Sequence, residues 1–368
     1  MGLLRLILAL SVLNIHAKIL GRNPIDGDTA VQLFFIISGF YMAMVLNEKY
    51  LPAKTTPLDF WKSRALRIFP SYCTVLLATL IAGGVFALAG TGSIQPFDAW
   101  DQMLEAGTSR VQLVLLGIAQ TTLLGLDVSN FAAIGAHGEV AFTANAWLEN
   151  FPVWRSLFVP QAWTLSLELY FYLLAPFLVR RGYAVLLWIF IASFSLRVLA
   201  AVLLGYRTDP WSYRFFPFEL LFFLAGVIAY RLGKLPGQPG VRGTMSIRCL
   251  AAILVFGAGV IGRLGVPGQS SVFAPALLAI LFLGMSKLFE FTKHNGVDRL
   301  LGELSYPLYV SHVLVIWIAG GIFPRNAGWS RVVVPLLAIC IAGLIYFYID
   351  RRVDRMRHRR FGPLPRGA

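Results

Sequence analysis

The sequence predicts an all-α fold, a polytopic membrane helical bundle of about ten transmembrane helices plus one re-entrant or interfacial segment. Three observations predict it. Of the 368 residues, 57% are hydrophobic and only 14% charged, whereas a soluble domain is about a quarter charged. The mean hydropathy is +0.70. Apolar runs long enough to span a bilayer follow one another along most of the chain.

The runs lie at 3–20, 31–47, 71–90, 163–179, 183–204, 215–232, 249–262, 271–289, 302–322 and 332–349. Met1–Ala17 has the outline of a signal peptide, but Ile15 stands where a small residue is wanted, so the segment reads as a mature helix. Arg351, Arg352, Arg355, Arg357, Arg359 and Arg360 form the densest basic cluster, which puts the C-terminus in the cytoplasm. Arg180, Arg181, Arg231, Lys234, Arg242 and Arg248 mark further inner loops. Lys49, Lys54, Lys62, Arg64 and Arg67 make 48–70 an inner loop and the N-terminus cytoplasmic too. These assignments agree only if 91–162 begins and ends outside. The weaker run at 111–126 is then re-entrant, interfacial or paired with a second weak crossing. A re-entrant segment facing a cavity is preferred, because irregular backbone at membrane depth is tolerated only there. Leu235–Gly243 reads as a loop.

The net charge of +14 does not indicate nucleic acid, because the cations sit in short loops and the tail. Cys73, Cys249 and Cys340 lie in apolar runs without metal spacing and read as small buried hydrophobes, with no disulfide framework. No Walker loop, HExxH, GxSxG or CxxC pattern is present.

An ionisable group in hydrocarbon costs at least ~2.5 kcal/mol, so each one is a functional candidate. Arg5 and His16 are eleven residues apart, hence on one helical stripe and about 16 Å apart along its axis. An imidazole is suited to take a proton from a hydroxyl near neutral pH; the bland readings are a snorkelling anchor for Arg5 and a packing residue for His16. Glu168 lies about one and a half turns into its helix, at a depth comparable to His16, where an acid could orient the imidazole; the bland reading is a carboxylate at a helix N-terminus. Arg64 and Arg67 are three apart and, with Lys62 assisting, form either a positive-inside anchor or a fork for phosphate groups. Ser305, Tyr309 and His312 fall on one face, which by itself reads as a polar interhelical seam. His137, His294 and His358 read as solvated surface residues, and Asp26 and Asp28 as a solvated outer loop open to an acceptor.

Five elements in this order resemble the membrane acyltransferase 3 family, which includes bacterial O-antigen and exopolysaccharide O-acetyltransferases. They are Arg5 with His16; Ala30-Val-Gln-Leu-Phe-Phe-Ile-Ile-Ser-Gly-Phe40, containing Ser38; Arg64-Ala-Leu-Arg-Ile-Phe-Pro70; Trp163-Thr-Leu-Ser-Leu-Glu168; and Ser305-Tyr-Pro-Leu-Tyr-Val-Ser-His312. The likeness spans about residues 1–350, with 351–368 left as a basic cytoplasmic tail. The chain departs from the family pattern at Thr164, where Ser is usual, and at Leu169 and Gln32, where acidic residues are common.

The resemblance implies an enzyme of the bacterial cytoplasmic membrane. Such an enzyme moves an acyl group, often acetyl, from acyl-CoA (acetyl-CoA) to a hydroxyl of a glycan, a lipid-linked sugar or a small acceptor, without a metal. It implies His16 as general base oriented by Glu168, and Arg5, Arg64 and Arg67 as the donor-binding residues. Ser38, Trp163, Tyr309 and His312 would line the pore. Two other readings remain at this point: a transporter or flippase for a lipid-linked sugar using a His/Glu proton relay, disfavoured by the lack of internal repeats, and a membrane scaffold.

Overall fold

All ten strong apolar runs are helical in the computed structural model, which describes residues 1–19, 25–53, 55–90, 95–234, 241–261, 273–322 and 330–362. In chain order the helices are α1 Gly2–Ala17, α2 Gly27–Val45, α3 Pro57–Leu88, α4 Gln95–Glu105, α5 Arg110–Thr122, α6 Trp163–Leu178, α7 Tyr183–Leu203, α8 Phe216–Gly233, α9 Val241–Ile261, α10 Phe273–Thr292, α11 Gly296–Ile322, α12 Ser330–Ile345 and α13 Arg351–Phe361. A short hairpin, β1 Ala132–Ile134 and β2 Val140–Phe142, lies between α5 and α6. The protein is an all-α membrane helical bundle. Among the described residues, seven helices are long and apolar enough to cross a bilayer, and Gly2–Ala17 and Met245–Ile261 are shorter apolar helices. Its lipid-facing perimeter carries exposed side chains such as Leu77, Ile81 and Val85 on α3 and Val202 and Leu203 on α7. The three cysteines belong to that exposed surface and are free, not buried as expected. An apolar solvent accepts a small apolar side chain as readily as a core does.

Two expected boundaries move. The expected loop Leu235–Gly243 lies partly outside the described residues, and from Val241 onward it is already helix α9. Lys54 also lies outside them. The run at 111–126 does contain a helix, α5, but at 13 residues it is only about 20 Å long, too short to cross. Ser109 caps it by accepting from the Gln112 N–H at 3.3 Å. Its far end stops against the middle of α3, where the Tyr72 hydroxyl donates to the Gln120 carbonyl. The Gln120 side chain accepts from the Phe158 N–H at 2.7 Å, so the chain returns along α5 instead of crossing. Val111, Val114, Leu115 and Ile118 of α5 face outward.

The tail is not a separate appendage. A π-helical turn, Tyr346–Asp350, joins α12 to α13. α13 then packs along the first half of α3, whose start is fixed by Pro57 and by the Thr56–Asp59 capping box. With 32 residues, α3 is about 48 Å long and exceeds the ~30 Å hydrocarbon layer, so its basic end and α13 project together.

α2 and α8 cross at backbone contact. A Cβ on Gly39 would lie 1.9 Å from the Phe223 carbonyl oxygen, and one on Gly226 would lie 2.0 Å from that of Ile36. A Cβ on Gly84 would meet open space. Gly226→Ala is expected to cost about 1–3 kcal/mol by forcing the helices apart, read as a lower melting midpoint in detergent, while Gly84→Ala melts like the parent. Equal midpoints for the two variants would show that the α2–α8 contact does not limit stability.

Candidate functional site

A cavity enclosing about 1050 Å³, mouth included, opens among α1, α2, α3, α6, α11 and α13. Four arginines (Arg5, Arg64, Arg67 and Arg357) and two glutamates (Glu168 and Glu303) line it, together with Ser38, Tyr41, Thr164, Tyr172, Ser305, Tyr306 and Tyr309. Helical spacing explains the set. On α2, Phe34, Ser38, Tyr41, Met42 and Val45 recur every three or four residues and present one stripe to the cavity.

The arginines sit at one end. Arg67 is a bridge: Nη2 lies 2.8 Å from Glu303 of α11, and Nη1 donates to Asp354 of α13 at 3.3 Å. Its expected freedom to hold a donor phosphate is therefore absent, because two carboxylates already occupy it. Arg64 is buried, and its Nε and Nη2 have no hydrogen-bond partner among the described residues. Arg357 was read from the sequence only as part of a basic tail; it is buried in the cavity wall with Nε and Nη1 equally unpartnered. Its sequence signal was the spacing Asp350, Asp354, Arg357, which puts three polar groups on one helical face. Lys62 points away and is exposed.

Arg5 lies over the Tyr41 ring at 5.9 Å. Glu168 accepts from the Tyr172 hydroxyl at 3.1 Å, and Arg5, Arg64 and Ser38 are its further electrostatic and hydrogen-bonding neighbours. Glu168 therefore belongs to the arginine side of the cavity. The expected partnership with His16 is not formed, since equal depth on two helices does not make two side chains neighbours.

The other end of the cavity is closed by the Thr164 and Tyr309 hydroxyls, 2.9 Å apart. Thr164 thus keeps the hydroxyl that the usual Ser would supply. Behind Tyr309 stands His312, fully buried, with ring centroids 5.8 Å apart. His312 Nδ1 lies 2.6 Å from the Tyr309 carbonyl. A carbonyl only accepts, so Nδ1 carries the hydrogen and Nε2 of the neutral ring keeps its lone pair. That Nε2 is buried without a partner. The His312 ring faces His16 at 5.2 Å. His16 and Arg5 do share one stripe of α1, and it faces α11. His16 is exposed, so the imidazole pair has one member open and one sealed. Neither lines the cavity: His312 is a wall residue behind Tyr309, not the pore residue expected.

Trp163 is likewise displaced from the expected pore. It packs against Tyr213 at 5.3 Å, and the Arg214 guanidinium lies 4.4 Å over its ring. Burial alone would lower the Arg214 pKa, but Asp209 at 2.5 Å and Tyr213 beside it hold the guanidinium above its ordinary value. The Arg214 charge reaches His16 from this side. His137, His294 and His358 are exposed, as expected.

Comparison with known proteins follows the same line. A family profile described as "Acyltransferase domain" matches residues 1–349. Over 112 residues the chain is 33% identical to "Protein 2 in picA locus" of Rhizobium radiobacter, covering 30% of this chain and 58% of that protein. It is 25% identical over 214 residues to an uncharacterized protein of Aquifex aeolicus, covering 56% and 92% respectively. It is 28% identical over 316 residues to "Exopolysaccharide production protein ExoZ" of Rhizobium meliloti, covering 80% and 78%. No solved structure matches.

The Arg67 bridge generates a prediction. Arg67 and Glu303 are only 16% and 20% exposed, so Arg67→Gln strands carboxylates in the interior and is expected to cost about 3 kcal/mol. Glu303→Gln added to it is expected to recover part of that loss in melting curves of the purified protein. A double variant no more stable than Arg67→Gln alone would mean the two groups are uncoupled.

Proposed function

The chain belongs to the acyltransferase-domain family, and from that premise we propose that it is a membrane-bound O-acyltransferase moving an acyl group, acetyl in the simplest case, from acyl-CoA to a hydroxyl of a glycan. The observation carrying this reading is one cavity with unpartnered buried guanidinium N–H groups at one end and, at the other, a hydroxyl pair backed by two imidazoles. Guanidinium forks suit the phosphates of coenzyme A. The apolar middle, with Val31, Phe34, Leu165 and Ile68, suits an uncharged arm carrying the thioester. Arg5 lies about 16 Å along α1 from His16, so an extended donor can bind its phosphates at one level and react at the other. The density of Arg and Lys at the α3–α13 end supports a cytoplasmic position for that end, where acyl-CoA is made.

In this reading the donor arm parts the Thr164–Tyr309 hydroxyl pair and brings its carbonyl carbon to the imidazoles. His16, on the exposed side, takes the proton from the acceptor hydroxyl. The oxygen attacks the thioester carbon, the C–S bond breaks, and the thiolate leaves with a proton returned from the imidazolium. His312, its Nδ1 held by the Tyr309 carbonyl, is the neighbour that orients His16, a role the sequence assigned to Glu168. Glu168 offsets Arg5 and Arg64 in the donor channel. The relative named for exopolysaccharide production supports a polysaccharide hydroxyl as acceptor, reached from the side opposite the arginines.

Two measurements test this. Mass spectrometry of the host's surface glycans with and without the protein is expected to differ by one acyl unit, and identical spectra would remove the glycan acceptor. His16→Ala, well folded, is expected to lose at least about a hundredfold in transfer from labelled acyl-CoA; turnover at the parent rate would refute the base assignment.

A further inference from the structure

We propose that α3 and α13 build a phosphate-binding site from Arg64 and Arg357, in which Arg67 is a positioning residue and not a ligand. The two helices run antiparallel, and their facing polar residues step together. Ser71 donates to Asp350 at 2.5 Å, and Arg67 donates to Asp354 at 3.3 Å. One further step, three residues along each helix, brings Arg64 to Arg357. The first two rungs are complementary, whereas the third sets two cations against each other.

Neither cation is relieved by solvent, since Arg64 is 6% and Arg357 3% exposed. Asp354 does bond Arg357 Nη2 at 2.8 Å, but the same carboxylate already serves Arg67. That leaves Nε and Nη2 of Arg64 and Nε and Nη1 of Arg357 without acceptors among the described residues. Two buried guanidinium groups that share less than one full carboxylate between them are strongly unfavourable, and both of these line the cavity. A single carboxylate would satisfy one fork. A phosphate or pyrophosphate group, with several oxygens and more than one negative charge, matches two. The anion site stands on the helix register alone, and its assignment to the phosphates of acyl-CoA rests on the function proposed above.

The same register gives Arg67 its role. Its guanidinium ties α3 to α11 through Glu303 and to α13 through Asp354, which sets the level at which Arg357 meets Arg64. Lys49 fastens the far end of α13 by donating to the Gly362 carbonyl at 2.6 Å. The C-terminal helix is thus a wall of the donor site.

The test uses the full-length purified protein and three probes: coenzyme A, its 3′-dephospho form and inorganic pyrophosphate. Arg64→Gln and Arg357→Gln are each expected to weaken coenzyme A and pyrophosphate binding about tenfold or more. Arg352→Gln, which removes an exposed charge from the same helix, is expected to leave both unchanged. Arg67→Gln is expected to lower the melting midpoint more than either of the paired arginines does. Because a variant can fail to fold, the parent protein supplies a second readout: pyrophosphate is expected to raise its melting midpoint. The proposal is overturned if pyrophosphate neither binds nor stabilises the parent, or if folded Arg357→Gln binds as the parent does. Should pyrophosphate bind in an Arg357-dependent way while coenzyme A does not bind, the anion site stands and the acyl-CoA reading falls. Should coenzyme A bind equally well without Arg357, the reverse holds.

Discussion

A guanidinium withdrawn from water must find an anion, and the arrangement of this bundle follows from where each buried arginine finds one. Arg197 of α7 meets Glu219 of α8 at 2.7 Å. Arg67 draws α3, α11 and α13 to one point through Glu303 and Asp354. Arg214 is held by Asp209 and reaches across to Asn130 at 3.3 Å, tying the loop before α8 to the segment between α5 and α6. Each pair joins parts of the chain that an apolar surface alone would not align, because lipid competes equally for apolar contact. Against that background Arg64, with no carboxylate partner among the described residues, and Arg357, which shares Asp354 with Arg67, stand out, and both face the same cavity.

The cavity persists because its walls cannot collapse. α2 has its other face locked against α8 by backbone contact at Gly39 and Gly226, so the stripe running from Phe34 to Val45 is held at a fixed distance from α3 and α6. On the opposite wall α1 is pinned at its start, where the Gly2 and Leu3 N–H groups donate to Asp298 of α11 at 2.8 and 2.9 Å. That contact sets the register of α1 on α11, and the same register carries His16 to His312 about four turns further along. One end of the α1–α11 pair therefore positions Arg5 at the arginine end of the cavity, and the other end the imidazoles.

The bundle was legible because hydropathy reports burial in lipid directly. All ten strong runs became helices, and the weaker run at 111–126 gives only the 13-residue α5, too short to cross. The stripe joining Arg5 and His16 was legible too, since it depends only on the pitch of one helix. Contacts between helices were not. Glu168 and His16 have similar depths, but depth fixes one coordinate of three, and rotation of α6 turns Glu168 toward Tyr172 and the arginines. Arg357 was hidden for a different reason: a run of arginines after the last helix reads as a topology signal, and nothing in composition separates the buried one from the exposed ones around it. The spacing from Asp350 and Asp354 puts it on their face, but only the partner helix, with Arg64, Arg67 and Ser71 at matching steps, shows that this face is buried.

Gln32 illustrates how a departure in sequence can be absorbed by structure. At that position the neutral Gln32 meets the carboxylate of Glu219 on α8. The Gln32 amide donates to Glu219 Oε1 and to the Ser212 carbonyl, both at 3.4 Å. Arg197 binds the same two oxygens, at 2.7 and 2.5 Å. A carboxylate at position 32 would face Glu219 across that gap and repel it, whereas the neutral amide donates to it. The consequence reaches the site. Ser212 is fixed by this cluster, and two residues later Arg214 stacks on Trp163, the first residue of α6. The next residue of α6 is Thr164, whose hydroxyl meets Tyr309 at the closed end of the cavity. The Glu219 carboxylate on α8 thus keeps the turn that closes the cavity in place, although Glu219 does not line that cavity.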